Sequence, residues 1–324
     1  MPRNIAGAIT ALVTPFSLDA QVDISALRRL VNRQLEGGID ALVPCGSTGE
    51  AATLSDAEYR LVVETVAREV AGRVPVIAGA GSNDTAKAIR LTHIAEQAGA
   101  DGLLHVTPYY NKPTPSGLIA HFTAIAAATD LPIIAYNVPG RTGSNLNADM
   151  LMRLIRSVPQ IIGVKEASGD IGQIMTIIAN APKEFVVLAG DDAFALATIA
   201  VGGKGLISVA SNEIPKEMSA LVRAAMTMDW TKAKTLHYEW LDLMNANFLE
   251  TNPIPVKAAL SMMGLVRDVF RLPLTPMEEV NRLALRSVLA RHNLLAARPN
   301  QRDVMFVKKR SRGPKVIARR TEKA

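Results

Sequence analysis

Several classes of protein are excluded by what this sequence lacks. Its 324 residues include a single cysteine, Cys45, so the chain alone can form neither an internal disulfide nor a cysteine-based zinc site. Aromatic residues make up only 4% of the chain, which argues against a nucleic-acid platform built from stacked aromatic side chains. No apolar run reaches the ~18 residues of a membrane span, and the N-terminus has no signal-peptide pattern. We therefore expect a cytoplasmic protein without membrane contact.

Metal and nucleotide signatures are also absent from the sequence. It has no His-Glu-x-x-His motif, its five histidines are scattered, and no Gly-x-x-x-x-Gly-Lys-Ser/Thr phosphate loop occurs. Asp191 and Asp192 could bind a metal ion, but two adjacent acids at the end of a strand are more often caps or loop anchors. We therefore predict neither a metal ion nor a dinucleotide cofactor.

The net charge of +6 is unevenly distributed along the chain. Residues 291–324 contain 11 lysines and arginines and two acids, a formal charge of +9, whereas the 25 basic and 28 acidic residues before them give −3. The body is therefore mildly acidic, and residues 298–324 are predicted to form a basic, disordered tail. Such a tail could contact nucleic acid, although runs of charge are usually just solvated.

Eight short apolar, β-rich runs are separated in most cases by segments with helical periodicity. Strands that are apolar on both faces and alternate with helices are typical of a parallel sheet covered by those helices. Eight of them favour a closed (β/α)8 TIM barrel, and an open doubly wound sheet is the alternative. The predicted strands are residues 8–16, 41–45, 75–80, 102–107, 132–138, 161–165, 185–189 and 205–209.

The chain is long enough for more than a barrel. After residue 209 it reads as helical to about residue 296, with breaks at Asn252-Pro253-Ile254-Pro255 and at Leu272-Pro273-Leu274-Thr275-Pro276. This is more helix than one barrel requires. We predict a catalytic barrel over residues 1–225, a small C-terminal helical subdomain over 226–297, and the basic tail over 298–324.

Polar residues gather at one end of the predicted barrel. In such a fold the catalytic groups come from the carboxyl ends of the strands and the loops that follow them. Here those ends include Gly46-Ser47-Thr48-Gly49-Glu50, Thr107-Pro108-Tyr109-Tyr110-Asn111, Tyr136-Asn137, Lys165-Glu166 and Gly190-Asp191-Asp192, whereas the opposite ends show only glycine, proline and turn residues. This asymmetry predicts an active site at the carboxyl ends.

Lys165 is the most informative single residue because it lies within an otherwise apolar strand. Burying an ammonium group costs several kcal/mol unless the group is paired or loses its proton. A lysine with a lowered pKa is a nucleophile that can form a Schiff base with a ketone. The alternative is a structural ion pair, for which the adjacent Glu166 is a poor partner because neighbouring strand residues point to opposite faces.

Two further residues could complete such a site. Tyr136 ends the preceding strand, where its hydroxyl could shuttle protons next to Lys165, although a half-buried structural tyrosine is commoner. Arg141 follows on a loop, where a guanidinium suits a carboxylate substrate or is simply solvated. The hydroxyls and backbone N–H groups of Gly46-Ser47-Thr48-Gly49-Glu50 could hold a carboxylate or relay a proton.

Taken in order, these strand ends resemble the dihydrodipicolinate synthase family of pyruvate-dependent class I aldolases, over residues 4–296. The resemblance rests on four motifs, with added support from Gly190-Asp191-Asp192 and Asn252-Pro253-Ile254-Pro255-Val256-Lys257. The four motifs are Gly46-Ser47-Thr48-Gly49-Glu50, Val106-Thr107-Pro108-Tyr109-Tyr110-Asn111-Lys112-Pro113, Tyr136-Asn137-Val138-Pro139-Gly140-Arg141-Thr142-Gly143 and Gly163-Val164-Lys165-Glu166-Ala167-Ser168-Gly169-Asp170.

The resemblance implies a lyase that condenses pyruvate with L-aspartate 4-semialdehyde. Lys165 would form an imine with pyruvate, and the product would be 4-hydroxy-tetrahydrodipicolinate, an intermediate toward diaminopimelate and lysine. Tyr136 would shuttle protons through a relay with Thr48 and Tyr110, and Arg141 would hold the carboxylate of the semialdehyde. The imine would be the only covalent group involved, with no separate cofactor.

The resemblance also assigns the surroundings of the site. Ser47 and Thr48 would contact substrate, and the main chain at Gly190 and Ile207 would line the lysine. Tyr110 would reach in from a neighbouring subunit, which implies a homotetramer built as a dimer of dimers.

Two departures from the family pattern bear on substrate and regulation. Ser47 stands where the synthases usually carry threonine, so a related aldolase or dehydratase acting on another 2-keto acid or sugar acid is the alternative. N-acetylneuraminate lyases are one such group, but they lack the loop that carries Arg141. Where lysine-inhibited members carry an acid and two histidines, this chain has Lys87, Asp56 and Tyr59, although Asn83 and Tyr109 are retained. We therefore expect weak or no inhibition by lysine.

Overall fold

The computed structural model describes residues 5–296 and contains all eight predicted strands, which are parallel and belong to one sheet. All eight fall within one residue of the predicted limits or inside them, although β1 ends well before its predicted limit. Their bounds are β1 Gly7–Ala11, β2 Ala41–Val43, β3 Ile77–Gly79, β4 Gly102–Val106, β5 Ile133–Asn137, β6 Ile161–Glu166, β7 Val186–Ala189 and β8 Gly205–Ser208.

Helices follow the strands and cover the outside of the sheet. Several begin at side chains that cap the first turn, such as Asp23, Ser55 and Asn147. Their bounds are α1 Ile24–Glu36, α2 Asp56–Val70, α3 Thr85–Gln97, α4 Pro115–Ala126, α5 Pro139–Thr142, α6 Ala148–Ser157, α7 Ile171–Asn180, α8 Ala195–Ala200, α9 Pro215–Met226, α10 Trp230–Ala246, α11 Ile254–Met262 and α12 Glu279–Arg291.

The sheet closes into a ring. Its strand order is β2-β1-β8-β7-β6-β5-β4-β3, so only the β2–β3 edge remains to be joined. That edge is closed by a parallel bridge between Leu42 and Val76 and by hydrogen bonds from Leu42 N to Pro75 O and from Gly79 N to Pro44 O. The fold is therefore the predicted TIM barrel, and the alternative of an open doubly wound sheet is wrong.

Alternation along the strands divides the core into two layers. Ile9, Ile134 and Ile207 belong to a cluster inside the barrel, whereas Ala8 and Leu206 pack outward against the helices. The register sets Lys165 of β6 directly between Tyr136 of β5 and Leu188 of β7, which both belong to the inner cluster.

The first strand is shorter than predicted, because the apolar run 8–16 leaves the sheet after Ala11. Leu12, Val13 and Phe16 are nevertheless fully buried. Their backbone is satisfied elsewhere, as when Val13 N donates to Asn212 Oδ1 at 3.1 Å. An apolar run indicates that its residues are buried, and the residues of a buried loop can be as apolar as those of a strand.

The C-terminal region is helical, as expected. Helix α9 packs against β1 and the barrel wall, and α10, α11 and α12 follow it. The division at residues 225 and 226 stays a prediction, and the predicted tail 298–324, with residue 297, lies outside the described residues. Within residues 5–296, no helix combines the length and the apolar character needed to cross a bilayer.

Candidate active site

A cavity of about 320 Å³ opens at the carboxyl ends of the strands. Five of the eight predicted catalytic and substrate-binding residues line it together, namely Ser47, Thr48, Tyr136, Arg141 and Lys165. They come from the loop after β2, from the ends of β5 and β6, and from the short helix α5. Their meeting point is the end of the barrel where the polar strand ends predict an active site.

Lys165 is buried at the bottom of this cavity, with 6% of its surface exposed. Its Nζ lies 4.3 Å from the centre of the Tyr136 ring. Burial lowers the pKa of the Lys165 amine to about 8, with Arg141 acting in the same direction and Asp192 and Asp191 opposing it. Near physiological pH a minority of the amine, on the order of a tenth to a fifth, is therefore neutral, which is far more than for a lysine in water.

The structural ion-pair alternative for Lys165 is wrong. No carboxylate among residues 5–296 lies within salt-bridge distance of its amine. Glu166 points to the other face of the strand, where it accepts hydrogen bonds from Asn137 Nδ2 at 2.9 Å and from the backbone N–H of Ser168 at 2.7 Å. The Lys165 amine is thus left available for chemistry.

Tyr136 is kept protonated by the same burial. Removal from water raises the pKa of its phenol to about 12, while the Arg141 charge and a hydrogen bond with Ser47 act to lower it. A neutral phenol next to a neutral amine can donate a proton to an oxygen that leaves the substrate. The Ser47 side chain lies close enough to the phenol to lower its pKa.

Thr48 has a different partner from the one that the predicted relay requires. Its side chain is buried, and its Oγ1 accepts a hydrogen bond from Asn252 Nδ2 at 3.0 Å. The structure therefore gives Tyr136 the Ser47 hydroxyl as its neighbour and gives Thr48 an amide from the C-terminal region. A relay role for Thr48 stays a prediction.

Arg141 is exposed at the rim of the cavity and is held there by a main-chain carbonyl. It lies on α5, and its Nη2 donates to the backbone carbonyl of Asn252 at 2.9 Å. The exposed remainder of the guanidinium offers N–H donors that suit a carboxylate. Arg141 therefore lies where the sequence predicts a carboxylate-binding residue.

Three other predicted residues lie outside the cavity lining of this single chain. Tyr110 is 89% exposed and has a left-handed backbone conformation, with φ of +70°. Ile207 is buried in the inner cluster, and Gly190 donates its N–H to Glu166 O at 2.7 Å. A Cβ on Gly190 would lie 2.6 Å from the Ala167 side chain, so this strand end has room only for glycine.

The structure places the residues compared for lysine inhibition, the three departures and the retained Tyr109, in different surroundings. Lys87 and Tyr109 line the cavity, whereas Tyr59 is buried in the core. The Asp56 carboxylate is taken up by Arg90, whose Nε lies 2.8 Å away. The expectation of weak inhibition stays a prediction.

The acids after β7 are loop anchors, as expected. Asp192 is fully buried and accepts hydrogen bonds from the backbone N–H groups of Val209 and Ala210, at 2.9 and 3.1 Å. Asp191 caps the short turn that follows, accepting from Ala193 N at 2.9 Å. Burial raises the pKa of Asp192 to about 6.

Sequence reasoning quoted two groups of residues only within motifs and gave them no role at the site. One is Asn252, which contacts both Thr48 and Arg141. The other is a fully buried ion pair in which Lys257 Nζ lies 2.5 Å from Glu50 Oε1. The signal for the pair was present, because Lys257 interrupts the apolar run of α11 as Lys165 interrupts β6.

Comparison with known proteins gives a consistent result. The model of the dihydrodipicolinate synthetase family matches residues 4–292. A 4-hydroxy-tetrahydrodipicolinate synthase of Koribacter versatilis is 52% identical over 293 residues, covering 90% of this chain and 97% of that protein. One from Nitratidesulfovibrio vulgaris is 52% identical over 284 residues, covering 88% and 97%.

Solved structures agree with the sequence matches. A dihydrodipicolinate synthase from Aquifex aeolicus superposes with a TM-score of 0.88 at 43% identity, covering 91% of this chain and all of that one. A chloride-inhibited dihydrodipicolinate synthase from Acinetobacter baumannii, complexed with pyruvate, gives a TM-score of 0.88 at 45% identity, covering 90% of this chain and all of that one.

Proposed function

The chain belongs to the dihydrodipicolinate synthetase family, and from that premise we propose that it condenses pyruvate with L-aspartate 4-semialdehyde. The product is 4-hydroxy-tetrahydrodipicolinate, and the enzyme is a class I aldolase-type lyase. One observation carries this proposal: Lys165 is a buried amine with a lowered pKa, without a salt bridge among the described residues, at the base of a cavity. An amine in that state is a nucleophile for a ketone.

The chemistry proceeds through a covalent imine. The neutral Lys165 amine attacks the keto carbon of pyruvate, and the carbonyl oxygen leaves as water. Loss of a methyl proton gives an enamine, which adds through carbon to the aldehyde of the semialdehyde. The amine of the semialdehyde then attacks the imine carbon, closes the ring and releases Lys165. Because the protonated imine accepts the electron pair, no separate cofactor is required.

The other lining residues serve this sequence through proton transfer and binding. Tyr136, with Ser47 nearby, donates and recovers the protons of the leaving oxygen. The Thr48 hydroxyl contacts the pyruvate end of the cavity. Arg141 holds the carboxylate of the semialdehyde, as a guanidinium at the cavity rim is able to do.

The assembly is part of the proposal. Tyr110 is too exposed in one chain to act on that chain's own Tyr136. We place it in the site of a neighbouring copy, in a homotetramer made of two dimers that works in the cytoplasm. Gly190 and Ile207 form the wall around Lys165 through their main chain.

Reductive trapping tests the proposal. The protein is incubated with pyruvate and borohydride, digested, and mapped by mass spectrometry. We expect a single pyruvyl adduct on Lys165, and none on Lys257, which is equally buried but paired with Glu50. The Lys165→Arg variant should give no adduct and no turnover.

The acceptor is tested on the same preparation. We expect turnover with L-aspartate 4-semialdehyde to exceed that with sugar-derived aldehydes and other 2-keto acids. An adduct elsewhere, or turnover retained by Lys165→Arg, would contradict the imine chemistry. Preference for another acceptor would keep the imine but overturn the proposed substrate in favour of a related aldolase.

A further inference from the structure

The contacts of Asn252 join the two halves of the proposed site, the pyruvate side and the acceptor side. Asn252 lies in the turn before α11, more than 200 positions from Thr48 in sequence. Its side-chain amide reaches the Thr48 hydroxyl at 3.0 Å, and its backbone carbonyl accepts from Arg141 at 2.9 Å. The residue therefore contacts one group on the pyruvate side and one on the acceptor side.

The direction of the first hydrogen bond has a chemical consequence. A threonine hydroxyl has one proton to donate and lone pairs that accept. Because Oγ1 of Thr48 accepts from Asn252 Nδ2, its own proton is free for another acceptor. Thr48 lines the cavity, so that proton is available to a bound molecule. A carboxylate only accepts hydrogen bonds, and a hydroxyl fixed as a donor is suited to it.

The setting of Asn252 fits this use better than it fits stability. The residue is 7% exposed, and its Oδ1 is buried without a hydrogen-bond partner in the described part of the chain. A buried, unpaired carbonyl oxygen costs stability that an apolar side chain would not. The Asn252 amide therefore costs stability, and what it provides in return is the hydrogen bond to Thr48.

The loop that carries Thr48 is fixed at both ends by the same segment. Asn252 holds Thr48, and five residues later Lys257 holds Glu50 by the buried ion pair at 2.5 Å. Little freedom remains for Thr48 to turn its hydroxyl toward a different acceptor. The orientation of its proton then depends on the chemical identity of the side chain at position 252.

We infer that Asn252 is a positioning residue, which orients the Thr48 hydroxyl as a hydrogen-bond donor to the carboxylate of the keto-acid substrate. The inference rests on the proposed function and deepens it, because it names the residue that selects a carboxylate at that subsite. It applies to the keto acid only. Arg141 is held by the main chain at position 252, so a side-chain change there leaves the acceptor subsite in place.

The sharpest test replaces the donor by an acceptor of the same shape. In Asn252→Asp the carboxylate accepts the Thr48 proton and adds a negative charge near the substrate. We expect the pyruvate concentration for half-maximal reductive trapping to rise about tenfold or more, as for a lost hydrogen bond to a charged group. The KM for the semialdehyde should change by less than about twofold.

Two comparisons separate positioning from a merely structural role. Asn252→Ala should raise the half-saturating pyruvate concentration about threefold in the wild-type background and leave it unchanged when Thr48 is already valine. The Asn252→Ala comparison also tests the inference if Asn252→Asp does not fold. Asn180→Asp, the same substitution on an exposed turn of α7, is the control and should match the wild type.

Three results would contradict a positioning role for Asn252. Wild-type pyruvate affinity in both Asn252 variants would overturn the inference. An equal loss of affinity for pyruvate and for the semialdehyde would also overturn it. So would a variant that has a lower melting temperature but an unchanged half-saturating pyruvate concentration in its folded fraction. Failure of the wild-type protein to trap pyruvate is a separate result, since it would refute the proposed function and the inference with it.

Discussion

Two buried lysines of this protein show how surroundings decide the state of an amine. Lys257 has a carboxylate partner in Glu50, a hydrogen bond to Val269 O at 2.8 Å, and the ring of Phe16 at 4.3 Å. Lys165 has the ring of Tyr136 but no salt bridge among residues 5–296. Burial lowers the pKa of both amines, but the Glu50 carboxylate opposes that shift at Lys257 and engages its amine in an ion pair. The Lys165 amine has no such partner and is free to react.

The rate of imine formation should therefore depend on pH through Lys165. Its pKa is lowered to about 8, so the neutral, nucleophilic fraction falls as pH drops below that value. We expect the rate of reductive trapping with pyruvate to rise about tenfold per pH unit in the acidic range and to level off above pH about 8. Rapid-quench trapping with cyanoborohydride measures this.

Circular dichroism over the same pH range controls for unfolding. A rate that does not vary with pH would contradict the assignment of Lys165 as a titrating nucleophile. A midpoint near the ordinary lysine pKa, about 10.4, would show that burial does not activate the amine.

The residues of the site differ in how far the sequence could predict them. Lys165 and Arg141 stand out because a charge interrupts or follows an apolar run, which has a physical cost that demands an explanation. The choice between Ser47 and Thr48 could not be made in that way. They are adjacent in a loop where Cys45 and Glu50 have positive φ, and those local turns decide which hydroxyl meets Tyr136.

At the scale of elements, α11 is joined to the loop after β2 by charges rather than by apolar packing alone. Glu50 accepts from Lys257 at 2.5 Å and from Arg271 N at 3.4 Å. Arg271 in turn binds the Glu58 carboxylate and donates to Thr53 O at 2.9 Å. Helix α11 and the segment after it thus hold the loop that carries Ser47 and Thr48 in place.

Breaking this pair on one side should destabilise the protein strongly. Side chains of Lys257 and Glu50 are 0% and 1% exposed, so Lys257→Met leaves a buried carboxylate without its cation. We expect a loss of about 3–5 kcal/mol in the free energy of unfolding, measured by denaturant titration. The double variant Glu50→Gln with Lys257→Met should recover most of it, because no uncompensated charge remains.

Removal of an exposed pair serves as the matched control for that experiment. Arg68 and Glu64 on α2 lie 3.2 Å apart, with the arginine side chain 78% exposed. Arg68→Met should change stability by less than about 1 kcal/mol. Equal effects of the buried and exposed changes would show that Lys257 does not carry the attachment of α11.

For the whole molecule, the alternation of apolar strands and helices was enough to predict a barrel. Each strand buries both faces, and eight such strands can share their edges by closing. The bridge between Leu42 and Val76 that completes the ring joins short strands and leaves no distinctive pattern in the sequence. Long-range contacts such as Asn252 with Thr48 are invisible to local periodicity for the same reason.

The exposure of Tyr110 leads to a prediction about assembly. Its side chain is 89% exposed in one chain and does not line that chain's cavity, although the family resemblance places it in the proton relay. If it acts in a neighbouring copy, Lys165→Arg and Tyr110→Phe chains should each be nearly inactive alone. Within a mixed dimer, one site combines an intact Lys165 with an intact Tyr110 from its neighbour.

Random mixing of the two inactive chains should then restore about a quarter of wild-type turnover, because half of the dimers are mixed and one of their two sites is intact. Co-expression with two affinity tags isolates the mixed dimers, and analytical ultracentrifugation confirms their size. A mixture of Lys165→Arg with Tyr136→Phe is the matched control. Both changes lie in the same chain's cavity, so no intact site can form from them. Absence of recovery in the first mixture would place Tyr110 outside the relay or within its own chain's site.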